Sequence, residues 1–397
     1  MRIGIDAREL FGQPTGVGRY LANLLTAWTT LPEAQRHVFV LYGPSGVAPG
    51  AFDPSRLRLS IRTRPVAGGT GSYWEQVRLP LALRHEPPDV LFAPGYTAPI
   101  LAVPPIALTI HDVSFLARPG GFSVRERVRR AVLTRLSARK ARVVLTVSQF
   151  SRDEIVRWLG LPADRVRVIA NGALSAANPT PAALAGGSRA AAAELPNPPR
   201  EPLVLFVGSI FNRRRVPDLI SAFARVARDL PAVRLEIVGD NRTYPREDLD
   251  AVVTSCGVTG RVGLRAYVSD EALADLYARA SVFGFLSDYE GFGLTPLEAL
   301  AHGVPPIVLD TAVAREVYGD AAVFVPPGDL TATAEALRAL LVDCDLRRSI
   351  LSRANDVLGR YSWERAGRET LAAIESAVGA PAEAPGIDSP GRSEARM

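Results

Sequence analysis

The chain has 397 residues, too many for one ordinary core, and its 47% of hydrophobic residues is ample for two packed domains. Its two cysteines, Cys256 and Cys344, exclude a disulfide framework, and no Cys/His cluster has the spacing of a zinc site. The formal net charge of +5 permits contact with anionic partners, and nothing in the pattern indicates nucleic acid. No apolar run approaches the ~18 residues that span a bilayer and no signal-peptide pattern is seen, so we expect a cytoplasmic protein.

The first half of the chain alternates short apolar runs with amphipathic segments, a pattern typical of parallel strands joined by helices. Helices are predicted at 19–28 and 151–159, and Ser151 with Glu154 predicts a capping box in the second of these. The apolar runs that predict strands are 3–5, 38–41, 90–92, 107–110 and 143–147. We therefore expect a parallel sheet that is covered by helices on both faces.

Two glycines, Gly16 and Gly18, follow the first predicted strand and precede a helix. They could begin a dinucleotide fingerprint, G-x-G-x-x-G, but the third glycine is replaced by Leu21 and the loop from Asp6 is too long for the tight turn. We interpret the glycines instead as a loop that lets the backbone approach a ligand. The alternative is a plain start of a helix.

His111 and Asp112 follow the predicted strand 107–110, at the carboxyl end where open parallel sheets bind ligands. Asp6 and Ser148 stand in the same position after other strands of this half. An imidazole there can donate to a substrate hydroxyl or act as an acid or base. His111 is therefore a candidate catalytic residue.

Residues 123–142 carry seven arginines and one lysine against a single acid, Glu126. Apolar residues recur at every fourth position of the same segment: Val124, Val128, Val132 and Leu136. A basic amphipathic helix of this kind can lie on an anionic membrane surface. It can equally be a solvated helix that packs its valine stripe on the sheet, and the sequence leaves both readings open.

The second half repeats the alternation after a change of composition. An Ala/Pro/Gly-rich stretch predicts a linker at 176–201 between a domain at 1–175 and a second at 202–360, and the Pro/Ser/Gly-rich residues 379–397 predict a disordered tail. Strands are predicted at 203–207, 235–238, 282–286 and 306–309. Helices are predicted at 216–230, 244–256, 296–302 and 330–341.

Gly208 opens a turn after the strand 203–207, and this turn carries Arg213, Arg214 and Arg215. Guanidinium groups at the end of a strand can hold a diphosphate in bidentate geometry. The alternative is a solvated basic turn, the usual role of a charge run. Placement in the same half as the two acids described next favours the binding role.

Glu290 and Glu298 stand eight positions apart around a glycine loop that leads into a helix. Thr295–Pro296 predicts the N-cap and first turn, and Gly303 predicts the helix stop. The N–H groups of such a loop and the helix N-terminus favour a phosphate, while carboxylates accept hydrogen bonds from hydroxyls. A nucleotide-sugar has this combination of groups. Thr295 with Glu298 also fits a capping box, but a capping box requires neither Glu290 nor the glycines.

With these motifs in view, the chain resembles the family 4 glycosyltransferases, which are retaining enzymes of the GT-B fold. The resemblance extends to about residue 375, and the acid pair around the glycine loop is its most specific element. It implies an α/β fold with two Rossmann-like, doubly wound parallel-sheet domains that face each other across a cleft. It also implies that 361–378 forms a helix that crosses back to the first domain. The segments that carry it are 4–8, 15–20, 110–112, 146–148, 171–172, the arginine turn, 290–298, 324–329 and 361–364.

The resemblance also implies roles for individual residues. Arg213 and Arg214 would hold the donor diphosphate, although the family often has an acid and a proline before the basic pair, where this chain has Phe211 and Asn212. A third arginine follows, so which arginine takes which role stays open. The residues whose N–H groups would face sugar and phosphate are Gly291, Phe292, Gly293 and Leu294.

The remaining roles concern the sugar and the facing domain. Glu290 would contact the transferred sugar and Glu298 the ribose hydroxyls, while His111 would lie near the reactive side of the sugar. Gly16 and Gly18 would line the cleft from the acceptor domain. These assignments predict a retaining hexosyltransferase of polysaccharide biosynthesis.

Resemblance to bacterial polysaccharide mannosyltransferases favours GDP-mannose as the donor and a glycan or lipid-linked acceptor. UDP-glucose, another hexose donor and a non-catalytic glycan-assembly role stay open as alternatives. Two D-x-D pairs, Asp248/Asp250 and Asp343/Asp345, lie in helical patterns where residues two apart do not face each other, so no metal is predicted. No cofactor is expected, and the arginine helix would place the enzyme peripherally at the inner face of the plasma membrane.

Overall fold

A computed structural model of the protein describes residues 1–12, 15–47, 53–173 and 200–379. Its strands form two sheets, one of seven strands and one of six, in which all neighbouring strands are parallel. This confirms the predicted GT-B architecture of two doubly wound domains. The predicted linker, 176–201, and tail, 379–397, fall almost entirely outside the described residues.

The first sheet has the strand order β3-β2-β1-β4-β5-β6-β7. Its central strands are apolar and buried because helices cover both faces. The strands are β1 Arg2–Asp6, β2 Val38–Pro44, β3 Ser60–Val66, β4 Val90–Ala93, β5 Ile106–Thr109, β6 Val143–Thr146 and β7 Val166–Val168. The helices are α1 Gly16–Trp28, α2 Leu79–His85 with a preceding π-turn Trp74–Arg78, α3 Ser114–Ala117, α4 Val124–Lys140 and α5 Gln149–Leu159.

The second sheet has the order β10-β9-β8-β11-β12-β13. Its strands are β8 Leu203–Val207, β9 Arg234–Val238, β10 Val262–Arg265, β11 Val282–Phe285, β12 Pro306–Leu309 and β13 Val323–Val325. The helices around it are α6 Val216–Asp229, α7 Leu249–Ser255, α8 Asp270–Arg279, α9 Leu294–Ala301, α10 Ala312–Tyr318, α11 Leu330–Val342, α12 Cys344–Leu351 and α13 Ala354–Leu358.

The last described helix, α14 Trp363–Gly379, leaves the second domain and packs on the first. Trp28 of α1 is fully buried, and its Nε1 donates a hydrogen bond of 2.8 Å to the carbonyl of Gly367. Gly172 lies against Trp363 so closely that a β-carbon would clash with the indole. The chain thus crosses between the domains twice, once near 173–200 and once near 361.

Several helix starts differ from the predicted ones, and in two of them a capping side chain gives the reason. α5 begins at Gln149, and its cap is Ser148, whose hydroxyl accepts from the N–H of Ser151, so the predicted capping box of Ser151 and Glu154 is wrong. α7 begins only at Leu249, because Asp248 caps it through the N–H of Ala251. In both cases the capping side chain lies next to the first residue whose N–H lacks an intrahelical acceptor.

Candidate active site

The strand order of the second sheet reverses between β8 and β11, which pair with each other. Open parallel sheets bind ligands at such a reversal, beyond the carboxyl ends of the strands. The arginine turn, 208–215, follows β8, and the glycine loop that contains Glu290 follows β11. These two segments therefore meet directly above the reversal.

Glu290 is held by two arginines of the neighbouring turn. Its Oε1 accepts hydrogen bonds of 2.9 Å from Arg214 Nε and from Ser287 Oγ, and its Oε2 lies 3.5 Å from a terminal nitrogen of Arg213. Burial alone would raise the pKa of Glu290, but Arg213 and Arg214 outweigh it and lower the pKa to about 2. The carboxylate is ionised at neutral pH and can accept hydrogen bonds from hydroxyl groups.

The two arginines are fixed by other contacts on their own side of the site. Arg213 Nε donates to the carbonyl of Tyr289 at 2.9 Å, and its guanidinium lies over the ring of Phe211 at 4.6 Å. Arg214 donates to the carbonyl of Ser209 at 2.8 Å. Each guanidinium is therefore oriented before any ligand binds, which limits the entropy lost on binding.

The third arginine of the turn points elsewhere. Arg215 Nε lies 3.3 Å from Asp288 Oδ2, and its terminal nitrogen lies 3.1 Å from Asp218 Oδ2. The structure brings Arg213 and Arg214 to Glu290 and leaves Arg215 paired with two other acids.

Gly208 is required at the start of the turn for two reasons. Its φ of +134° is strained for any residue with a side chain. A β-carbon at this position would also press against the guanidinium of Arg214, which passes directly over it. Gly208 thus lets Arg214 reach Glu290 across the turn.

Helix α9 begins at Leu294, two residues earlier than predicted. Its N-cap is Gly293, with φ +86°, and not Thr295, whose hydroxyl is buried without a hydrogen-bond partner among the described residues. Tyr318 donates to the carbonyl of Gly293 at 2.9 Å and occupies the space that a β-carbon would need. The predicted N-cap at Thr295 is therefore wrong, and the alternative capping box of Thr295 with Glu298 is excluded as well. Gly303, with φ +70°, follows the helix end as predicted.

The glycine loop presents unpaired backbone donors. Within the described part of the chain, the N–H groups of Gly291, Phe292, Gly293 and Leu294 have no hydrogen-bond acceptor in the protein. The side chain of Phe292 is buried edge-on against Tyr361 at 5.0 Å, which anchors the loop in the core of its own domain. Unpaired donors at a helix N-terminus are suited to an anion such as a phosphate.

Gly291 lies where the two domains approach each other closely. A β-carbon there would clash with the carbonyl oxygen of His111, which belongs to the first domain. Ser148 Oγ donates to the Gly291 carbonyl at 2.6 Å, and Ser151 Oγ lies 3.0 Å from both this carbonyl and that of His111. The glycine loop is thus bound to the N-terminus of α5 across the cleft.

A second contact reinforces this junction. The carboxylate of Glu316 in α10 accepts from the N–H groups of Gln149 and Phe150, at 2.7 and 2.9 Å. An acid at a helix N-terminus is favourable because it satisfies unpaired donors and opposes the helix dipole. Helix α5 is therefore capped by its own Ser148 and also by Glu316 of the other domain.

His111 lies at the carboxyl end of β5, beside the glycine loop. Its Nε2 is 2.8 Å from the carbonyl of Pro94, and since a carbonyl only accepts, this nitrogen carries the proton. Burial lowers the pKa of His111 below its ordinary value, although the Pro94 carbonyl opposes this. The ring is neutral at neutral pH, and Nδ1 has a free lone pair that can accept from a hydroxyl. Tyr20 contacts it edge-on at 4.8 Å.

The two glycines of the first domain differ in role. Gly16 is exposed at the start of α1, with open space where a β-carbon would stand. Gly18 is buried, and a β-carbon there would clash with the carbonyl of Glu9. Its N–H also donates to the capping hydroxyl of Thr15 at 2.9 Å. The close packing of α1 against Glu9 is thus sufficient to explain why residue 18 is a glycine.

Glu298 lies in α9, and the first domain supplies its nearest opposite charge. Burial raises the pKa of Glu298 above its ordinary value, and the guanidinium of Arg19 in α1 opposes this rise. Arg19 is exposed and carries no ion pair among the described residues. The cleft therefore has an acid on one wall and a cation on the other.

Sequence reasoning missed several residues of this site. The sequence predicts a helix cap at Ser151, and nothing in the local pattern marks Arg19, Tyr318 or Glu316. Each acts on a segment far away in the chain, so no local spacing reveals it. Ser148 was noticed as a strand-end residue, and that position was the available signal.

The predicted absence of a metal site stays a prediction. Among residues 1–12, 15–47, 53–173 and 200–379, no group of three or more His, Cys, Asp or Glu side chains has a metal-binding arrangement. The first acid of each D-x-D pair caps a helix, since Asp248 precedes α7 and Asp343 precedes α12.

Comparison with protein families identifies both halves of the chain. Residues 14–173 match the model described as Glycosyltransferase Family 4, and residues 188–356 match Glycosyl transferases group 1. The O-antigen chain mannosyltransferase B of Escherichia coli is 27% identical over 377 residues, which cover 91% of this chain and 96% of that protein.

Solved structures share the fold at low sequence identity. Sucrose-phosphate synthase from Thermosynechococcus elongatus superposes with a TM-score of 0.72 at 18% identity, covering 95% of this chain and 98% of that one. Anabaena Alr3699/HepE, solved in complex with UDP-glucose, gives a TM-score of 0.69 at 20% identity, covering 95% and 100%.

Proposed function

Because the chain belongs to the family 4 glycosyltransferases and is a hexosyltransferase, we propose that it transfers mannose from GDP-mannose to a hydroxyl group of a glycan or lipid-linked acceptor, with retention of configuration. One observation carries the donor site. Glu290, paired with Arg213 and Arg214, stands beside a loop whose four N–H groups are unpaired. A sugar hydroxyl and a diphosphate are the groups that this arrangement would hold together.

Relatives that are named mannosyltransferases support the choice of mannose. The Escherichia coli protein that matches over 91% of this chain is named a mannosyltransferase. UDP-glucose, the ligand of the Anabaena structure, is the alternative donor. Glu298 would hold the ribose with either nucleotide, so it does not discriminate between the bases.

In the proposed reaction, the bond between the anomeric carbon and the diphosphate oxygen breaks, and its electron pair leaves with the diphosphate. The acceptor oxygen forms a bond to the same carbon on the same face, and its proton passes to the departing phosphate oxygen. Arg213, Arg214 and the loop N–H groups would stabilise the charge that develops on the diphosphate. No metal is needed for this role, since the positive charge comes from the protein.

A covalent intermediate is less well supported. Glu290 is engaged by two guanidinium groups and has a pKa of about 2, so it is a weak nucleophile. Asp112 accepts from the Tyr96 hydroxyl at 3.0 Å and from the Ser114 N–H at 2.8 Å. These occupied acceptors favour attack assisted by the departing phosphate.

The acceptor would be a growing surface glycan or a lipid-linked saccharide, and the enzyme would act peripherally at the inner face of the plasma membrane. Closure of the two domains over the donor would exclude water and limit its hydrolysis.

A panel of nucleotide-sugars tests the proposal in two steps. We expect GDP-mannose to raise the melting temperature more than UDP-glucose, GDP-glucose or free GDP, and transfer of radiolabelled mannose to follow. If UDP-glucose alone stabilised the protein, the donor would be UDP-glucose and not GDP-mannose. Stabilisation without transfer to any tested acceptor would support the non-catalytic role, and no stabilisation by any nucleotide-sugar would overturn the donor site.

A further inference from the structure

Helix α4 leaves its apolar stripe in solvent. Val124, Val128, Val132 and Leu136 are between 41% and 68% exposed, whereas the buried residues Thr134, Ser137 and Ala138 face the sheet. The reading in which the valines pack on the sheet is therefore wrong. The helix is rotated so that its small and polar residues make the buried contacts.

The same exposed face carries four of the seven basic residues of the helix. Its other exposed residues are Arg125, Arg129, Arg139 and Lys140. Among the described residues none of these four forms an ion pair, and the one acid of the helix, Glu126, is paired with Arg130. Four apolar and four cationic side chains thus alternate on one surface without an acid to neutralise them.

Two neighbouring segments extend this surface. Tyr73, Val77 and Leu81 are exposed at every fourth position around the start of α2, and Leu101 and Val103 are exposed in the loop after β4. Nine of the fourteen large exposed hydrophobic side chains in the described residues belong to these three segments. So high a share in one region differs from the scattered exposure that is normal for a monomer.

Hydrogen bonds hold the three segments together. Ser137 Oγ is 3.0 Å from both the N–H and the carbonyl of Ala98, and Gln76 donates to the Ala98 carbonyl at 3.1 Å. Arg129 donates to Ser72 Oγ at 2.6 Å. The three segments are therefore neighbours in the fold, and we give their nine exposed apolar and four exposed basic side chains one name, the apolar-basic face.

We infer that the apolar-basic face is a docking surface for an anionic phospholipid bilayer. Interleaved valines and arginines suit such a partner, because the valines enter the acyl boundary while the guanidinium groups remain at the phosphate level. No helix of the described residues is long and apolar enough to cross a membrane, so attachment would be peripheral. This inference rests on the proposed function in one respect: membrane binding would bring the enzyme to a lipid-linked acceptor.

The position of the face relative to the cleft supports that purpose. His111 is separated from the first residue of α4, Val124, by twelve residues, and Arg118 between them lies 3.5 Å from Asp288 of the second domain. Gly121 lies close to Asn212 of the arginine turn. The apolar-basic face thus begins at the mouth of the cleft.

Flotation of the full chain with vesicles tests the inference. We expect binding to vesicles of equal parts phosphatidylglycerol and phosphatidylcholine, weakened by salt, and little binding to phosphatidylcholine alone. Arg125→Gln with Arg129→Gln should lower the partition coefficient roughly 30-fold, since each basic residue near the surface contributes about 1 kcal/mol, or about fivefold. Val128→Asn with Val132→Asn should lower it by at least about tenfold at unchanged charge.

Matched variants on the second domain are the controls. Arg228→Gln with Arg234→Gln removes two exposed arginines, and Val342→Asn removes an exposed valine, all outside the apolar-basic face. These should float like the unaltered chain. Equal binding by all variants, or equal binding to neutral vesicles, would overturn the inference.

Two further measurements separate this inference from the proposed function. The variants of the apolar-basic face should still be stabilised by GDP-mannose and should still transfer mannose to a water-soluble acceptor. Loss of flotation without loss of these two properties would show that the face serves membrane binding and not donor binding. Sedimentation of the full chain detects the other occupant, a second copy. A concentration-dependent dimer that the valine variants abolish, without vesicle binding, would assign the face to self-association and reject the membrane.

Discussion

The hydroxyl of Ser148 in the first domain donates a 2.6 Å hydrogen bond to the carbonyl of Gly291 in the second. This bond fixes the orientation of the peptide group between Gly291 and Phe292. The carbonyl of Gly291 and the N–H of Phe292 point in opposite directions in this planar group. The direction of a donor that would face the diphosphate is thus set from the opposite domain. If a nucleotide-sugar binds at this loop as proposed, its binding would be coupled to closure of the cleft through this peptide.

Removal of both hydroxyl groups at this junction should weaken donor binding. Each hydrogen bond contributes about 1 kcal/mol, so Ser148→Ala with Ser151→Ala should raise the KM for the donor roughly five- to thirtyfold, with a smaller change in kcat. The control is Ser269→Ala, which removes an equivalent N-cap from α8 but touches no other domain. If both variants changed the kinetics equally, loss of a helix cap would be the cause.

Substitution of Gly291 should be more damaging than loss of the hydroxyl groups. Gly291→Ala places a methyl group against the carbonyl of His111 and forces the loop away from it. A displacement of about 1 Å at a reacting centre can cost on the order of 100-fold in rate. We expect that loss in kcat/KM, with little change in melting temperature. Gly71→Ala, where no atom lies within 4 Å, is the control, and wild-type activity of Gly291→Ala would contradict the close approach.

The sequence predicted the centre of each sheet better than its edges. The four strands it missed, β3, β7, β10 and β13, are the four edge strands. An edge strand pairs on one side only and is less buried, and β3 exposes most of its residues, so it lacks the apolar run that marks a central strand. The arginine turn and the Glu290 loop were found because they follow central strands.

Contacts between the domains could not be predicted. The bond from Ser148 to Gly291 joins residues 143 positions apart, and the approach of Gly291 to His111 depends on how the two sheets face each other. The glycines of the loop were interpreted as places where backbone meets ligand. Gly291 is also needed because its backbone lies against the backbone carbonyl of His111. Sequence spacing does not show whether a glycine faces a ligand or another backbone segment.

The two arginines that hold Glu290 should matter far more than the third. Glu290→Ala or Arg214→Ala should lower kcat by about 100-fold or more. Arg214 would stabilise the negative charge that develops on the diphosphate, and Glu290 would hold the transferred sugar. Arg215→Ala is the matched control in the same turn, since it pairs with Asp288 and Asp218. Melting temperatures would show that each variant is folded. Full activity of both Glu290→Ala and Arg214→Ala would remove the site assignment.

Chelation of divalent cations should leave the reaction intact. Arg213, Arg214 and the loop N–H groups supply positive charge where a metal ion would otherwise neutralise the diphosphate. Initial rates with and without EDTA measure this directly. A metal-dependent transferase in the same buffer confirms that the chelator is effective. Strict dependence on Mg²⁺ would show that the protein charges are insufficient.

The fall of kcat/KM at low pH should follow the protonation of His111. Its pKa is lowered from 6.5 by burial, so the ring is neutral at pH 7 and binds a proton only as the pH falls below that value. Protonation removes the Nδ1 lone pair, and kcat/KM should then fall. Since the unfolded chain binds this proton more readily than the folded one, stability should also decrease below about pH 6.5. His111→Asn should reduce the rate roughly 10- to 100-fold, because loss of a hydrogen-bond acceptor costs about 1–3 kcal/mol, and should abolish the acid limb. An unchanged limb in this variant would assign it to another group, such as the phosphate of the donor.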